Sequence, residues 1–343
     1  MSFTPLHTER LLLRPPRATD LDALIERRNE PEVAALQTWT LPYSRAQAAQ
    51  LFEGVLAMDG PQTDEWWMLT IADHDDTVVY GDLALRLTWD GRTAEIGYTL
   101  ARAHWGQGYA TEASAALIEH LLEDLDVQRI EAMLHPANTA SARVIERCGL
   151  LYEGRTRGSF WVGDEQTDDL LYGMLRTDWD EWRGRPRTPP DQVELVEITP
   201  DNASAVSRLR THHSQQAFVS PVIDSFADAL IPEIIDGAPV VPWYRTVRAD
   251  GEIVGFVMVA EPTSHHPDPY LWRLLIDRLH QRRGIGTRVL DLVVDQCRSW
   301  KSVALDTSWE EGHGSPGPLY LAYGFAPTGR IIDGETEGRL ELT

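Results

Sequence analysis

Residues 105–110 read Trp-Gly-Gln-Gly-Tyr-Ala, and residues 281–287 read Gln-Arg-Arg-Gly-Ile-Gly-Thr. Each stretch follows an apolar run typical of a strand and precedes an amphipathic run typical of a helix. Glycine lets the backbone approach a ligand closely, and a helix N-terminus adds free N–H groups and positive partial charge. We therefore predict two pyrophosphate-binding loops. The first comprises Trp105, Gly106, Gln107, Gly108, Tyr109 and Ala110, and the second comprises Gln281, Arg282, Arg283, Gly284, Ile285, Gly286 and Thr287.

The two loops belong to an internal repeat. A glycine that is predicted to end a short helix follows each loop at a similar distance, Gly149 being 41 residues after Gly108 and Gly324 being 40 residues after Gly284. Two landmarks with nearly the same spacing indicate a duplication. The proline-rich basic stretch 183–191 predicts an extended linker between domains 1–182 and 192–343.

Within each half, the same order of elements is predicted around the loop. The predicted strands of the first half are 10–14, 66–71, 78–87, 94–100 and 129–134. One predicted helix follows the loop and runs through about residue 125, and another covers 141–148. The predicted strands of the second half are 193–198, 253–259, 270–276 and 302–305, with helices over 288–297 and 319–323. Both halves therefore belong to the mixed α/β (α+β) class.

Composition limits the function. The chain has 343 residues with a net charge of −22, which argues against nucleic acid as a partner and suits a cationic substrate or simple solubility. No apolar run approaches the length of about 20 residues that spans a bilayer, and no secretory signal is recognisable at the start. The two cysteines, Cys148 and Cys297, fall in different halves, so a reducing, cytoplasmic location is expected.

The loop pattern Gln/Arg-x-x-Gly-x-Gly/Ala resembles the acetyl-CoA loop of the GNAT acetyltransferase superfamily. The second loop matches it fully, whereas the first has Trp105 at the leading position. The words Glu95-Ile-Gly-Tyr98, Asn138-Thr-Ala-Ser-Ala142 and Glu153-Gly154 make the first half similar to the RimJ/RimL-like branch. The words Val254-Gly-Phe-Val-Met258 and Pro316-Gly-Pro-Leu-Tyr320 make the second half similar to diamine and spermine/spermidine acetyltransferases.

The resemblance implies two tandem GNAT folds, each with a mixed, mostly antiparallel central sheet flanked by helices. It also implies acetyl-CoA as acyl donor and direct transfer, without a covalent enzyme intermediate, between splayed central strands. Tyr320, four residues before Gly324, stands where many such enzymes place a tyrosine near the cofactor sulfur. The corresponding place in the first half is Ile145, and there the RimJ/RimL-like pattern points to Ser141, with Asn138 bonding the pantetheine arm.

Several of these residues have ordinary structural alternatives. Glu95, on the central strand, is a candidate base or substrate anchor, or simply an exposed carboxylate. Tyr320 could instead be a packing residue of a short helix. Ser141 could be an early-helix residue that satisfies the backbone hydrogen bonds at the start of its helix. Asp168 and Asp169 could hold a cation, and the histidine pairs lack metal-ligand spacing, so no metal is expected.

The leading hypothesis is an N-acetyltransferase that transfers acetyl to a primary amine of a small cation such as a polyamine or an aminoglycoside. One alternative is acetylation of a protein or peptide N-terminus. Another is that one domain binds acetyl-CoA, or acts as a scaffold, without catalysis. No nucleic acid or membrane partner is expected, and the chain could be a monomer, as a pseudo-dimer of domains, or a homodimer.

Overall fold

The computed structural model describes residues 3–235, 237–312 and 314–342. They form two compact units, and the boundary between them along the chain falls between Arg183 and Gly184. Each unit has one main sheet with helices on both faces, and is described by itself.

The first unit is built on an eight-stranded sheet in the order β1-β2-β3-β4-β5-β6-β8-β7. Its strands are β1 (Leu6–His7), β2 (Leu11–Arg14), β3 (Trp66–Asp73), β4 (Val79–Thr88), β5 (Thr93–Leu100), β6 (Arg129–Leu134), β7 (Leu151–Val162) and β8 (Glu165–Leu175). Its helices are α1 (Leu21–Arg28), α2 (Pro31–Ala34), α3 (Arg45–Leu56), α4 (Tyr109–Glu123), α5 (Thr139–Arg147) and α6 (Arg176–Gly184). All strand pairs are antiparallel except β5 with β6.

The second unit has a seven-stranded main sheet in the order β16-β17-β15-β14-β13-β12-β9, in which only β14 and β15 are parallel. Its strands are β9 (Val193–Val196), β10 (Ile234–Ile235), β11 (Ala238–Pro239), β12 (Pro242–Ala249), β13 (Glu252–Ala260), β14 (Tyr270–Ile276), β15 (Ala304–Trp309), β16 (Ala326–Ile332) and β17 (Glu335–Glu341). Strands β10 and β11 form a separate hairpin. Its helices are α7 (Ala203–Val206), α8 (Val222–Leu230), α9 (Ile285–Ser299) and α10 (Gly317–Tyr323).

Alternation along the strands separates the two faces of each sheet. In β13, Val257 and Val259 pack with α9, whereas Phe256 and Met258 pack in a second cluster with α7 and α8. In the first unit, Asp82 of β4 forms a buried ion pair with Arg27, so that face of the sheet meets α1. Each face of the central strands therefore packs against a different layer of helices.

A shared close contact supports the duplication. A Cβ atom on Gly81 of β4 would lie 2.1 Å from the carbonyl oxygen of Thr99, and one on Gly255 of β13 would lie 2.5 Å from that of Leu275. Both glycines face the end of the strand that leads into the glycine loop. Both therefore let two central strands approach more closely than any side chain permits.

These results confirm the predicted fold class. Strand β14 has the predicted bounds, but α9 begins at Ile285 rather than residue 288, because Gly284 takes the left-handed conformation that starts the helix. The strand predicted over 302–305 is β15, Ala304–Trp309. The segment predicted as an extended linker, 183–191, begins inside α6, which ends at Gly184.

Candidate functional site

The first glycine loop connects β5 to α4. Gly106 and Gly108 have φ values of +73° and +83°, which side-chain-bearing residues rarely adopt, and Gly108 is the residue before the first turn of α4. Within residues 3–235, the backbone N–H groups of Gly106, Gln107 and Gly108 donate to no protein acceptor. The buried Oγ1 of Thr111, in the first turn of α4, also has no partner there.

The second loop repeats this geometry between β14 and α9. Arg282 and Gly284 have φ values of +64° and +75°, and Gly284 precedes the first turn of α9. Not every predicted ligand residue faces outward. Ile285 is buried in the core, whereas Arg282 and Thr287 are exposed. In both loops the outward N–H groups at a helix N-terminus fit the pyrophosphate of acetyl-CoA.

Trp105 and Gln281 have the same role. The indole Nε1 of Trp105 donates to the carbonyl of Leu100 at 2.9 Å, and the amide Nε2 of Gln281 donates to the carbonyl of Ile276 at 2.9 Å. Each acceptor is the last residue of the strand, five positions earlier. The departure of Trp105 from the superfamily pattern therefore preserves the hydrogen bond that ties the loop to its strand.

Two stacked tyrosine rings and an arginine lie beside the first loop. Tyr109 stacks on Tyr80 with ring centroids 4.7 Å apart, and the guanidinium of Arg10 lies 4.7 Å from the Tyr109 ring. Arg10 also donates to the carbonyl of Gln107 and forms a 2.6 Å ion pair with Glu112. The segment before β2 thus holds the loop in place.

The parallel strands of each unit separate after a few residues. The last parallel pair is Glu95 with Glu131 in the first unit and Leu271 with Thr307 in the second. In both units this pair lies five residues before the end of the strand that enters the glycine loop. Beyond this pair the central strand no longer bonds to its parallel neighbour, and backbone N–H groups released in this way are the kind of donors that stabilise charge on a thioester oxygen.

Glu95 lies at the start of this gap with a buried side chain. Burial raises the pKa of Glu95, the hydrogen bond and charge of Arg86 oppose that rise, and the carboxylates of Glu131 and Asp169 add to it. Arg86 bonds Oε2 of Glu95, whereas Oε1 accepts no hydrogen bond from the described residues. Glu95 is thus a buried carboxylate with one available oxygen, rather than the exposed strand carboxylate of the alternative interpretation.

Asp169 is a second buried carboxylate within electrostatic range of Glu95. Burial raises its pKa, although a 3.2 Å hydrogen bond from Ser159 acts in the opposite direction. Trp66 and Met133, near Glu95 on the same face of the sheet, are 42% and 44% exposed, so this face is open to a ligand. Asp168, by contrast, is engaged by Arg155 at 2.6 Å.

Ser141 and Asn138 lie at the start of α5. The side-chain oxygen of Asn138 accepts the N–H of Ser141 at 3.1 Å and so caps the helix, while its amide nitrogen can still donate to a ligand. The sequence did not single out Tyr98 of β5, whose hydroxyl donates to the carbonyl of Ser141 at 3.0 Å. Tyr98 thereby connects the separating strand to the helix that carries Ser141.

Tyr320 lies in α10 and is 5% exposed, within the core of the second unit. Burial raises the pKa of its phenol, and the side chain of Thr307, a member of the last parallel pair, lies close enough to oppose that rise. The ring packs against Trp309 and Phe325 at centroid distances of 6.0 and 5.5 Å. Tyr320 therefore reaches the point where the strands separate, but from within a packed core.

The described residues contain neither a metal-binding cluster nor a helix that could span a membrane. Across residues 3–235, 237–312 and 314–342, no group of three or more His, Cys, Asp and Glu side chains could hold a metal ion. In the same ranges, no helix combines the length and the apolar character needed to cross a membrane.

Comparison with known proteins finds one family match in each half of the chain. Residues 10–151 match the family model described as an acetyltransferase (GNAT) domain, and residues 208–313 match that of the acetyltransferase (GNAT) family. Uncharacterized N-acetyltransferase p20 of Bacillus licheniformis is 29% identical over 176 residues, 51% of this chain and 97% of p20. The ribosomal-protein-serine acetyltransferase of Escherichia coli is 33% identical over 84 residues, which span 24% of this chain and 47% of that protein.

Among solved structures, RimJ of Mycobacterium smegmatis in complex with CoA-disulfide is 25% identical, with a TM-score of 0.45. It covers 51% of this chain, and 87% of the RimJ chain is matched.

Proposed function

Since this chain contains two GNAT acetyltransferase domains and is an acetyl-CoA-dependent acyltransferase, we propose that its first domain acetylates the primary amine of a small cation. We propose further that both glycine loops bind acetyl-CoA and that the second domain binds it without transferring the acetyl group. A polyamine or an aminoglycoside is the class of substrate intended.

One observation carries the proposal. Glu95 and Asp169 are both buried, are within electrostatic range of each other, and lie on an open face where the parallel strands separate. Two carboxylates with one arginine partner leave net negative charge at this point. An ammonium group would neutralise that charge, whereas an anionic substrate would be repelled.

The chemistry of the proposal follows from Glu95. Acetyl-CoA supplies the acetyl group as a thioester. An ammonium ion cannot attack, so Glu95 accepts a proton from it through its available Oε1, and the higher pKa of a buried carboxyl makes it a better base near neutral pH. The amine nitrogen then forms the new C–N bond with the carbonyl carbon, and N–H donors of the separated strand stabilise the charge on the carbonyl oxygen. The C–S bond breaks as coenzyme A leaves as a thiolate, and the proton that the nitrogen loses balances the proton that converts this thiolate to the thiol.

The second domain lacks this arrangement. Its last parallel pair, Leu271 and Thr307, carries no carboxylate, and both residues are buried. Tyr320 supplies a possible acid there, but nothing at that pair can accept a proton from an ammonium ion. This contrast supports binding without transfer in the second domain.

A second candidate is the amino terminus of a protein. The E. coli relative is named a ribosomal-protein-serine acetyltransferase, although the similarity spans only 47% of it. An N-terminal ammonium would meet the same two carboxylates. The open sheet face beside Trp66 and Met133 would then have to accept the following residues of the peptide.

Mass detection of acetylated product distinguishes these candidates. The full chain is incubated with acetyl-CoA and a panel of polyamines, aminoglycosides and peptides with free N-termini. We expect a product 42 Da heavier with at least one small cation. Products from peptides alone would favour the second candidate. No product from any amine, with acetyl-CoA bound, would refute the assignment of catalysis to the first domain.

A further inference from the structure

A row of side chains crosses the open face of the first sheet. In the strand register, Trp66 of β3 lies opposite Arg86 of β4, and Arg86 lies opposite Glu95 of β5. Glu131 of β6 continues the row beyond Glu95. Residues directly opposite each other on neighbouring strands point to the same face, with their side chains within reach of one another. Arg86 is therefore placed between an aromatic ring and the candidate base.

Arg86 makes one contact on each side. Its guanidinium carbon lies 5.0 Å from the centre of the Trp66 ring, within the range of a cation–π contact. Its Nη2 donates to Oε2 of Glu95. Among the described residues, the buried Nε of Arg86 has no hydrogen-bond partner. Arg86 and Glu95 are thus joined by a single hydrogen bond, although both groups can form two.

This single bond differs from the usual pairing of the two groups. An arginine and a carboxylate commonly pair through two parallel hydrogen bonds, which occupy both carboxylate oxygens. Such a pair would also lower the pKa of Glu95 further, because each hydrogen bond to the carboxylate favours its charged form. The one-sided contact therefore keeps Oε1 of Glu95 available to accept a proton.

Trp66 accounts for the one-sided contact. A guanidinium is flat and stacks on aromatic faces, so a neighbouring ring restricts the plane in which its N–H groups lie. In that plane, Nη2 of Arg86 reaches Oε2 of Glu95, whereas Nε reaches no acceptor in the part of the chain that the structure describes. Without the ring, the Arg86 side chain is free to rotate until it bonds both oxygens of Glu95.

The charges around Glu95 give Arg86 a particular weight. Burial has the largest effect and raises the pKa of Glu95. The hydrogen bond and charge of Arg86 on β4 lower that pKa, whereas the carboxylates of Glu131 on β6 and Asp169 on β8 raise it. Arg86 opposes all the other effects, so its orientation sets how readily Glu95 ionises.

The second sheet does not repeat this part of the row. The glycine of the close strand contact is Gly81 in β4 and Gly255 in β13, and five residues later stand Arg86 and Ala260. Ala260 lies opposite Tyr270 of β14, as Arg86 lies opposite the candidate base. These two positions of the second domain carry neither a guanidinium nor a carboxylate.

We propose that Trp66 and Arg86 are positioning residues for the proton acceptor: Trp66 fixes the plane of the Arg86 guanidinium, and Arg86 holds Oε2 of Glu95 through one bond. The proton of the substrate ammonium then moves to Oε1, and Arg86 stays protonated throughout. This inference rests on Glu95 as the base, which is part of the proposed function, and goes beyond it by naming the residues that control that base.

A titration that needs no substrate tests the inference. The pKa of Glu95 is measured by ¹³C NMR of the full chain with labelled glutamate carboxyl groups, and Glu95→Gln identifies the signal by its loss. Arg86→Gln removes the opposing cation and should raise the pKa of Glu95 by about 1 or more. Trp66→Ala should lower it, because the released guanidinium bonds both oxygens. Trp66→Phe keeps a ring for stacking and should stay near the wild-type value.

A double variant shows whether Trp66 acts through Arg86. When Trp66→Ala is added to Arg86→Gln, the pKa of Glu95 should change very little, because no guanidinium remains to be oriented. A further fall as large as that in Trp66→Ala alone would mean that the ring acts directly on Glu95, and would overturn the role of Trp66. Trp89→Ala is the matched control, since Trp89 lies in the turn between β4 and β5 and is 79% exposed. It should leave the pKa unchanged.

Kinetics connect the contact to catalysis. With an amine that is acetylated in the panel, Trp66→Ala should lower kcat about tenfold or more at neutral pH, because Oε1 of Glu95 is then occupied. The Kd of acetyl-CoA should be unchanged. Arg86→Lys should recover most of the turnover lost in Arg86→Gln, since an ammonium group supplies the charge and a single bond to Oε2.

The outcomes separate this inference from the proposed function. An unchanged pKa of Glu95 in both Arg86→Gln and Trp66→Ala, with unaltered melting temperatures, overturns the inference whether or not a product forms. Wild-type kcat in Trp66→Ala overturns the positioning role of the ring. Absence of product from every amine, with the expected pKa changes present, contradicts only the catalytic part of the proposed function.

Discussion

The two domains are most alike in their glycine loops and differ most at the last parallel pair of their central strands. Both loops begin with a side-chain donor bound to the strand end at 2.9 Å, and both place a left-handed glycine before the helix. At the last parallel pair, however, the first domain has Glu95 and Glu131, and the second has Leu271 and Thr307. The duplication has kept the cofactor scaffold and separated the acid–base groups.

The candidate base and the candidate acid lie in different domains. The first domain has a buried carboxylate that can accept a proton but has Ile145, in α5, where the second domain has Tyr320. The second domain has that tyrosine, but its last parallel pair, Leu271 and Thr307, carries no carboxylate. Direct transfer from acetyl-CoA needs the base most, because a protonated amine is not a nucleophile. This is why we assign catalysis to the first domain.

The largest expected effect comes from removing the base. Glu95→Gln keeps the size and a hydrogen-bonding group but cannot accept the proton, so product formation should fall by about 10²-fold or more. Turnover with saturating acetyl-CoA measures it. Glu131→Gln, in the neighbouring strand, is the control and should have a much smaller effect. Wild-type turnover in Glu95→Gln would remove Glu95 from the mechanism.

The pH dependence of the same reaction should carry the signature of Glu95. A base works when deprotonated, so kcat/KM should rise as the pH rises through the pKa of Glu95. Burial raises that pKa, so this acid limb should lie at higher pH than an ordinary carboxyl group gives. The limb should be absent from the residual activity of Glu95→Gln. A profile with no limb above the ordinary carboxyl range would contradict this prediction.

A smaller effect is expected at the start of the loops. Trp105→Ala removes the bond to Leu100 and should raise the Kd of one acetyl-CoA site about three- to tenfold, the usual contribution of one hydrogen bond. Trp105→Gln should recover most of that affinity, because a glutamine makes the same bond in the second domain. If Trp105→Gln binds as weakly as Trp105→Ala, the two leading residues are not equivalent.

The smallest effect on catalysis is expected at Tyr320. Tyr320→Phe keeps the ring among Trp309 and Phe325 and removes only the phenolic hydroxyl near Thr307, so the free energy of unfolding should fall by no more than about 1 kcal/mol. Product formation should be unchanged. Thermal melting and turnover measure the two quantities, and a clear drop in turnover would show that the second domain is also catalytic.

Local sequence predicted much of the fold. The strand–loop–helix order around each glycine loop is visible because apolar periodicity and left-handed glycines act over a few residues. The bounds of β14 were obtained directly, whereas the start of α9 was displaced by three residues and the two bounds of β15 by two and four. Helix α3 and the long hairpin β7–β8 were not specified, because their burial depends on partners distant in sequence.

For the candidate site, the sequence identified residue types and not their pairings. It named Glu95 but could not show that Arg86 bonds one oxygen and leaves the other available. It did not single out Tyr98, whose hydroxyl reaches the carbonyl of Ser141 43 positions later. It interpreted Trp105 as a departure, since only the structure shows that an indole N–H can replace the amide of Gln281.

By itself, then, the sequence determined that the chain is a duplication, that each half carries a glycine loop before a helix, and that the class is mixed α/β. These features depend on short-range backbone conformation, which a few residues define. Only the tertiary structure decided which groups meet where the strands separate, and that Arg283 and Arg288 donate hydrogen bonds to the carbonyls of Thr188 and Pro190. Such contacts join residues far apart in the chain, and their chemistry depends on burial and charge that no local pattern encodes.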